Sequence, residues 1–258
     1  MCGIFCSVSR RQNIPPEQLI EERLRRRGPD SITTIPAICP GHRSDENGLD
    51  CVYINLISTV LSLRGSQTVT QPYQDGTGHL TLCWNGEAWT IAGQSTWDND
   101  TESIHSLLAE SLSDIGIEDR RECPLKCASR IAEELSRVAG PYAFVLFDQP
   151  CAKLYFGRDF LGRRSLMWKV TSSGDLIISS ISDGDSSAHW KEVETDGIYC
   201  VDLGRLREST HNIAVEPQVQ RWGQYAVSRA PYRLFNVTSP PSVRGLDRCP
   251  DFSKLMNR

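Results

Sequence analysis

From residue 142 to residue 222, six strand-like segments follow one another with no helical periodicity between them. They are 142–148, 153–158, 165–171, 176–180, 197–203 and 215–222. Upstream lie strand-like runs at 2–9, 51–63 and 79–84, and a helix at 17–26. Pro15 and Pro16 open this helix, Glu17, Glu21 and Glu22 come early in it and Arg23 to Arg27 late, and Gly28-Pro29 stops it. Two more helices are predicted, one with Asp100 as its N-cap and Ile104, Leu107, Leu108 and Leu112 at helical spacing, the other over 124–138. Residues 36–50, 65–78 and 93–99 read as loops and turns. Strands, then two helices, then more strands is not βαβ alternation. The expected class is α+β, with antiparallel sheets and helices packed on them.

Composition narrows the function classes. The chain has 258 residues, 39% of them hydrophobic, which suffices for a packed core. No run approaches the roughly 18–20 apolar residues that span a bilayer, so no membrane partner is expected. A net charge of −4 argues against a general nucleic-acid binder. The ten cysteines are scattered, and MCGIFCSVSR lacks the layout of a secretory signal, so reduced thiols and a cytoplasmic location are expected. The five histidines are dispersed, no pair has zinc-finger spacing, and no metal or cofactor is expected.

Cys2 carries the most chemistry. Methionine aminopeptidase removes Met1 before a small residue, which would leave Cys2 first in the chain. A terminal cysteine brings its own base, because a free α-amine titrates near pH 7.7–8.0 and can take the thiol proton. Gly3 lets the backbone pass close to a substrate. Amide cleavage also needs donors for an oxyanion. Asn85 offers a side-chain N–H₂ and Gly86 a backbone N–H at a strand end, while Asp100 can hold the ammonium of an amino acid. An Asn-Gly pair alone is as often a hairpin turn.

These pieces together resemble the class II, N-terminal-nucleophile glutamine amidotransferase domain, and more narrowly the glutaminase half of asparagine synthetases. The matching segments are MCGIF (1–5), RGPD (27–30), QP (71–72), NGE (85–87), DTE (100–102), GPYAFVLFD (140–148) and FGRDFLGRRSL (156–166). They run in family order across residues 2–205. The resemblance implies a four-layer αββα sandwich of two antiparallel sheets, the Ntn-hydrolase fold. It implies glutamine as substrate, Cys2 as nucleophile, Asn85 and Gly86 as oxyanion hole, and Asp100, with Gly86 or Glu87, at the amino end of glutamine. Arg158, Asp159 and Arg163 would be scaffolding.

The sequence departs from that pattern twice. Aligning the family's R-L-S-I-V run with VLSLRG (60–65) puts Val60 where an arginine grips the substrate carboxylate, and valine cannot form that bidentate pair. Arg64 lies four residues on, more than about 10 Å away along an extended strand, and substitutes only if the strand bulges or the loop folds back. Residues 206–258 read as a terminal strand, a linker and an irregular tail, with no SGGxDS phosphate loop, so an ammonia-accepting synthetase domain or protein would have to be supplied elsewhere. The two readings are therefore a glutaminase domain feeding asparagine formation, and a degenerate non-catalytic module of the same fold.

Overall fold

The computed structural model describes residues 1–39, 51–184, 189–208 and 218–221. The first half runs β1 (Gly3–Ser9), α1 (Gln18–Arg27), β2 (Ser31–Cys39), β3 (Val52–Val60), β4 (Tyr73–Gln74), β5 (Leu80–Gly86), β6 (Thr90–Ile91) and β7 (Gln94–Ser95). Three helices follow, α2 (Asp100–Ser113), α3 (Ile117–Glu122) and α4 (Pro124–Leu135). The second half holds β8 (Val138–Ala139), β9 (Tyr142–Asp148), β10 (Lys153–Arg158), β11 (Met167–Val170), β12 (Leu176–Ser179), β13 (Lys191–Glu192), β14 (Gly197–Asp202), α5 (Leu203–Glu208) and β15 (Gln218–Arg221).

Two six-stranded sheets dominate, ordered β13-β11-β12-β1-β3-β2 and β15-β14-β10-β9-β5-β4, with antiparallel pairing throughout. Alternation along the strands decides the layers. Ile4, Cys6 and Val8 of β1 and Ile54 and Leu56 of β3 meet Cys83, Val145, Leu154 and Phe156 of the other sheet in one dry layer. The opposite face of the first sheet, with Phe5, Ile57 and Ile177, packs on Ile20 and Leu24 of α1. The opposite face of the second, with Leu82, Trp84, Phe144 and Tyr155, packs on α2 and α4 through Ile104, Leu108, Ile131 and Leu135. The result is an αββα sandwich of four layers. Covering both faces of each sheet explains why β1 and β9 are buried along their whole length.

Several boundaries differ from the sequence reading. The expected loop over 36–50 is strand as far as Cys39. Pro36 sits within β2, and this is permitted because β2 is an edge strand, where a missing N–H breaks no ladder. Its exposure alternates along the strand, as one face is covered and the other is not. The rest of that loop lies outside the described residues, as does most of the expected tail. The run 51–63 stops being strand at Val60. The helix over 124–138 ends at Leu135, and Val138–Ala139 is a short strand against Thr90–Ile91. The N-cap of α2 is Asn99, whose side chain accepts from the Thr101 N–H, and Asp100 is the first helical residue. Among the described residues no helix is long and apolar enough to cross a membrane.

A corner at 139–142 sets the end of β5. Glu87 N–H donates to Pro141 O (2.9 Å) and Trp89 N–H to Ala139 O (2.7 Å). Gly140 has φ +147°, and a Cβ there would run into the Glu87 carbonyl. Gly140→Ala is therefore expected to cost at least about 2 kcal/mol, from backbone strain plus the clash. Urea unfolding of the variant beside wild type measures it.

Candidate active site

Cys2 precedes β1, and the alternation that turns Ile4, Cys6 and Val8 inward carries its side chain to the end of the space between the sheets. Asn85 is likewise in phase with inward-facing Cys83, and Val60 with Leu56. One cleft of about 40 Å³ at this end is lined by Cys2, Val60, Arg64, Asn85, Gly86, Glu87 and Asp100, with Met1, Gln71 and Arg164 among its other walls. The six site residues expected from the sequence, Cys2, Arg64, Asn85, Gly86, Glu87 and Asp100, thus line one cleft together with Val60.

The Cys2 thiol is held by the backbone after β3. Leu61 N–H donates to Sγ (3.4 Å), and Sγ lies 3.7 Å from Leu61 O. Arg27 fixes the residue from the other side, its Nε donating to Cys2 O (3.1 Å) and its Nη1 to Ser165 Oγ (2.9 Å) and Ser180 O (3.2 Å). Burial pushes the thiol above its ordinary range; the Leu61 hydrogen bond and the terminal ammonium oppose this, and Asp100 adds to it. Met1 is attached in this chain, so the Cys2 nitrogen is an amide and not a base. The Met1 amine reaches Arg27 O (3.4 Å), and its own ammonium form is disfavoured chiefly by burial.

Two donors face the cleft from β5. Asn85 is 1% exposed, and its Nδ2 has no hydrogen-bond partner among the described residues. A buried donor left unmet costs about 1–3 kcal/mol. Asn85 pairs with Ala143 and Glu87 N–H turns toward β9, so alternation turns the Gly86 N–H to the opposite edge. On that edge the Trp84 N–H is already taken by Gln71 Oε1 (2.7 Å). Gly86 must be glycine, because a Cβ there would meet Trp84, Tyr142 and Pro141 O within 2.9 Å.

Asp100 is buried at the start of α2, where the helix dipole favours an anion. Its Oδ2 accepts from Trp84 Nε1 (3.0 Å) and Ala88 N (2.6 Å). Burial nevertheless raises its pKa, against those hydrogen bonds and the nearby Arg64 charge. Glu87 lies between two arginines, 2.7 Å from Arg164 Nη2 and 3.9 Å from Arg64 Nη2. Because β3 ends at Val60, residues 61–64 fold back and Arg64 reaches the cleft.

Sequence reasoning missed four contributors. Arg27, Gln71 and Arg164 lay inside quoted motifs without a role, and Trp84 ended the expected strand at 79–84 without one. Gln71 ties Trp84 to Thr101 at the head of α2 (3.1 Å). The scaffolding reading of Asp159 and Arg163 fits the contacts: Asp159 accepts from Tyr142 N, Leu161 N and Arg163 N and Nε, and Arg163 Nη2 donates to Gly140 O (2.7 Å). They brace the corner that carries Gly86. Arg158 pairs with Glu192 at 2.5 Å.

No family model matches the chain. Over 209 residues, 79% of its length, it is 32% identical to the human protein named asparagine synthetase domain-containing protein 1 and 34% identical to the bovine one. The chain belongs to the asparagine synthetase domain-containing family. The match spans 28% and 29% of those relatives, respectively. Among solved structures, this asparagine synthetase-like chain is similar to one described as the allosteric regulatory enzyme of purine biosynthesis. The TM-score is 0.51 and the identity 15%, over 85% of this chain and 49% of that one. That likeness concerns the fold alone, the four-layer arrangement of two antiparallel sheets between helices.

With Met1 in place, the raised Cys2 pKa leaves little thiolate at neutral pH. Iodoacetamide is therefore expected to alkylate Cys2 more slowly at pH 7 than exposed Cys123, with the Cys2 rate still rising above the ordinary thiol range. Peptide mass mapping of a pH series reads both rates.

Proposed function

We propose that this domain hydrolyses the side-chain amide of glutamine once Met1 has been removed. The observation that carries the reading is the buried, unpartnered Asn85 Nδ2 in the same cleft as the Cys2 thiol. A donor left without a partner there is compensated only when an acceptor arrives, and an oxyanion is such an acceptor. Removal of Met1 converts the Cys2 amide nitrogen into a primary amine. The desolvation that lowers the Met1 ammonium then acts one residue deeper and favours the neutral amine.

In this mechanism the amine takes the thiol proton and the sulfur attacks the carboxamide carbon. Asn85 Nδ2 and the Gly86 N–H hold the oxygen of the tetrahedral adduct. Proton return from the ammonium lets the C–N bond break, giving ammonia and a thioester on Cys2. Water, deprotonated by the same amine, cleaves the thioester to glutamate and restores the thiol. Asp100 and Glu87 face the substrate ammonium. The scheme needs no metal or redox cofactor, since each step moves only protons and an acyl group. The family name of the relatives points to a synthetase domain or protein as acceptor of the ammonia, and so to asparagine formation. Val60, apolar at the cleft wall, favours the second reading, a module of the same fold without turnover.

Ammonia release from glutamine by protein with Met1 removal verified by mass tests this. Turnover is expected to vanish in Cys2→Ala and to fall by about 10²–10³ in Asn85→Ala. Labelling of Cys2 by 6-diazo-5-oxo-norleucine is expected in wild type. Absence of both turnover and labelling would leave the non-catalytic module.

A further inference from the structure

Four strands end the two large sheets, and three of them are poor templates for another chain. β4 and β13 are two residues long, and β13 is Lys191-Glu192. β15 has four residues and ends on Arg221. Short or charged edges of this kind resist pairing with foreign strands. β2 is different. It runs nine residues, is paired to β3 along its whole length and carries no charged side chain from Ser31 to Cys39. Among the described residues no strand pairs with its other edge.

Hydrogen bonds inside the sheet fix which backbone groups point outward. Ser180 N–H donates to Ile4 O (2.9 Å) and Ile4 N–H to Ser180 Oγ (3.1 Å). Ile4 therefore turns its backbone to the β12 side, and by alternation Phe5 turns to Ile57 of β3. Ser58, Leu56 and Ile54 are then the β3 residues that bond to Thr33, Ile35 and Ala37 of β2. The N–H groups of Ile32, Thr34 and Ile38 point away from the sheet, as do their carbonyls and that of Pro36. Pro36, which has no N–H, occupies one of these outward positions. The side chains of the same four residues share one exposed face, outside the cluster that α1 covers. Ile38 is 55% exposed and Ile32 36%.

A second β2, run antiparallel to the first, fits this edge. Two-fold symmetry about Ile35 overlaps the strand along its whole length. It sets Ile32 opposite Ile38 of the second copy, where each N–H finds a carbonyl. It sets Thr34 opposite Pro36, where the Thr34 N–H finds the Pro36 carbonyl and proline has no donor to satisfy. An axis on Pro36 would instead face two proline rings, with no donor at the centre. The isoleucines of the two copies become cross-strand neighbours, and neutral strands meet without like-charge repulsion. We propose that β2 is a dimerisation edge, through which two copies of this chain join their first sheets into one continuous sheet across an axis at Ile35.

Sedimentation equilibrium of the full chain from about 1 to 200 µM tests it. The mass is expected to rise from one copy to two, with a micromolar dissociation constant, as the small area of a single strand pair implies. Ile38→Lys places an ammonium beside Ile32 of the second copy and is expected to raise that constant about tenfold or more. Thr34→Pro removes an outward N–H, breaks no bond to β3 and adds no charge, and is expected to weaken the dimer likewise. Circular dichroism verifies that each variant is folded, and if one is not, the other decides. Diamide takes one hydrogen from each of two thiols. It is expected to join Ile35→Cys chains faster than wild-type or Thr33→Cys chains, because residue 35 meets its own copy across the axis. A chain that stays monomeric over the whole range overturns the proposal, and means that another part of a longer chain or a different protein covers the edge. A dimer that neither Ile38→Lys nor Thr34→Pro weakens also overturns it, by placing the contact elsewhere. Cross-linking of Ile35→Cys no faster than of wild type overturns the axis.

Discussion

The position of Cys2 depends on the burial of the strand that follows it. β1 lies inside its sheet, paired to β3 along all seven residues and to β12 along four. Its inner face packs against the second sheet and its outer face against α1. A chain start is ordinarily the first part of a domain to fray. Here both edges are hydrogen-bonded and both faces are dry, so residue 2 is held where the two sheets end. Arg27, the last residue of α1, then clamps the Cys2 carbonyl.

The cleft is polar because it sits where the apolar layer between the sheets stops. Inside that layer Cys6 and Cys83 are fully buried, and desolvation disfavours both thiolates. A few ångströms on, the same alternation presents Cys2 and Asn85 to groups from loops and a helix end. Those groups are costly to bury, and each is supported: Asp100 by Trp84 and Ala88, Glu87 by Arg164, the Gly86 corner by Asp159 and Arg163. Asn85 Nδ2 and Arg164 Nε have no such partner among the described residues, and of the two the uncharged Asn85 amide is the one placed beside Cys2 on the strand between the sheets.

Ordinary local sequence carried much of this. The antiparallel architecture followed from the order of apolar runs, and β9 and β10 were legible residue for residue. The edge strand β2 was not, because Pro36 reads as a loop until the neighbouring strand shows that its missing N–H points away from the sheet. Asp100 was legible as a residue at the head of a helix but not as a buried carboxylate, since Asn99 performs the capping and only the packing of α2 on β5 brings Trp84 to Asp100.

Sequence by itself determined the nucleophile candidate, the Asn-Gly pair, the acidic pair Glu87 and Asp100, and the class of fold, because each is written in residue type and in periodicity along the chain. The place of Arg64 was decided by tertiary structure alone. Three residues separate it from Val60, and whether they continue a strand or turn back depends on what they pack against. Pairing to β2 ends at Val60, Leu61 turns to the Cys2 sulfur, and the carbonyls of Ala88 and Thr96 draw the guanidinium in. Those partners lie between 24 and 59 residues away in sequence, beyond the reach of any local pattern.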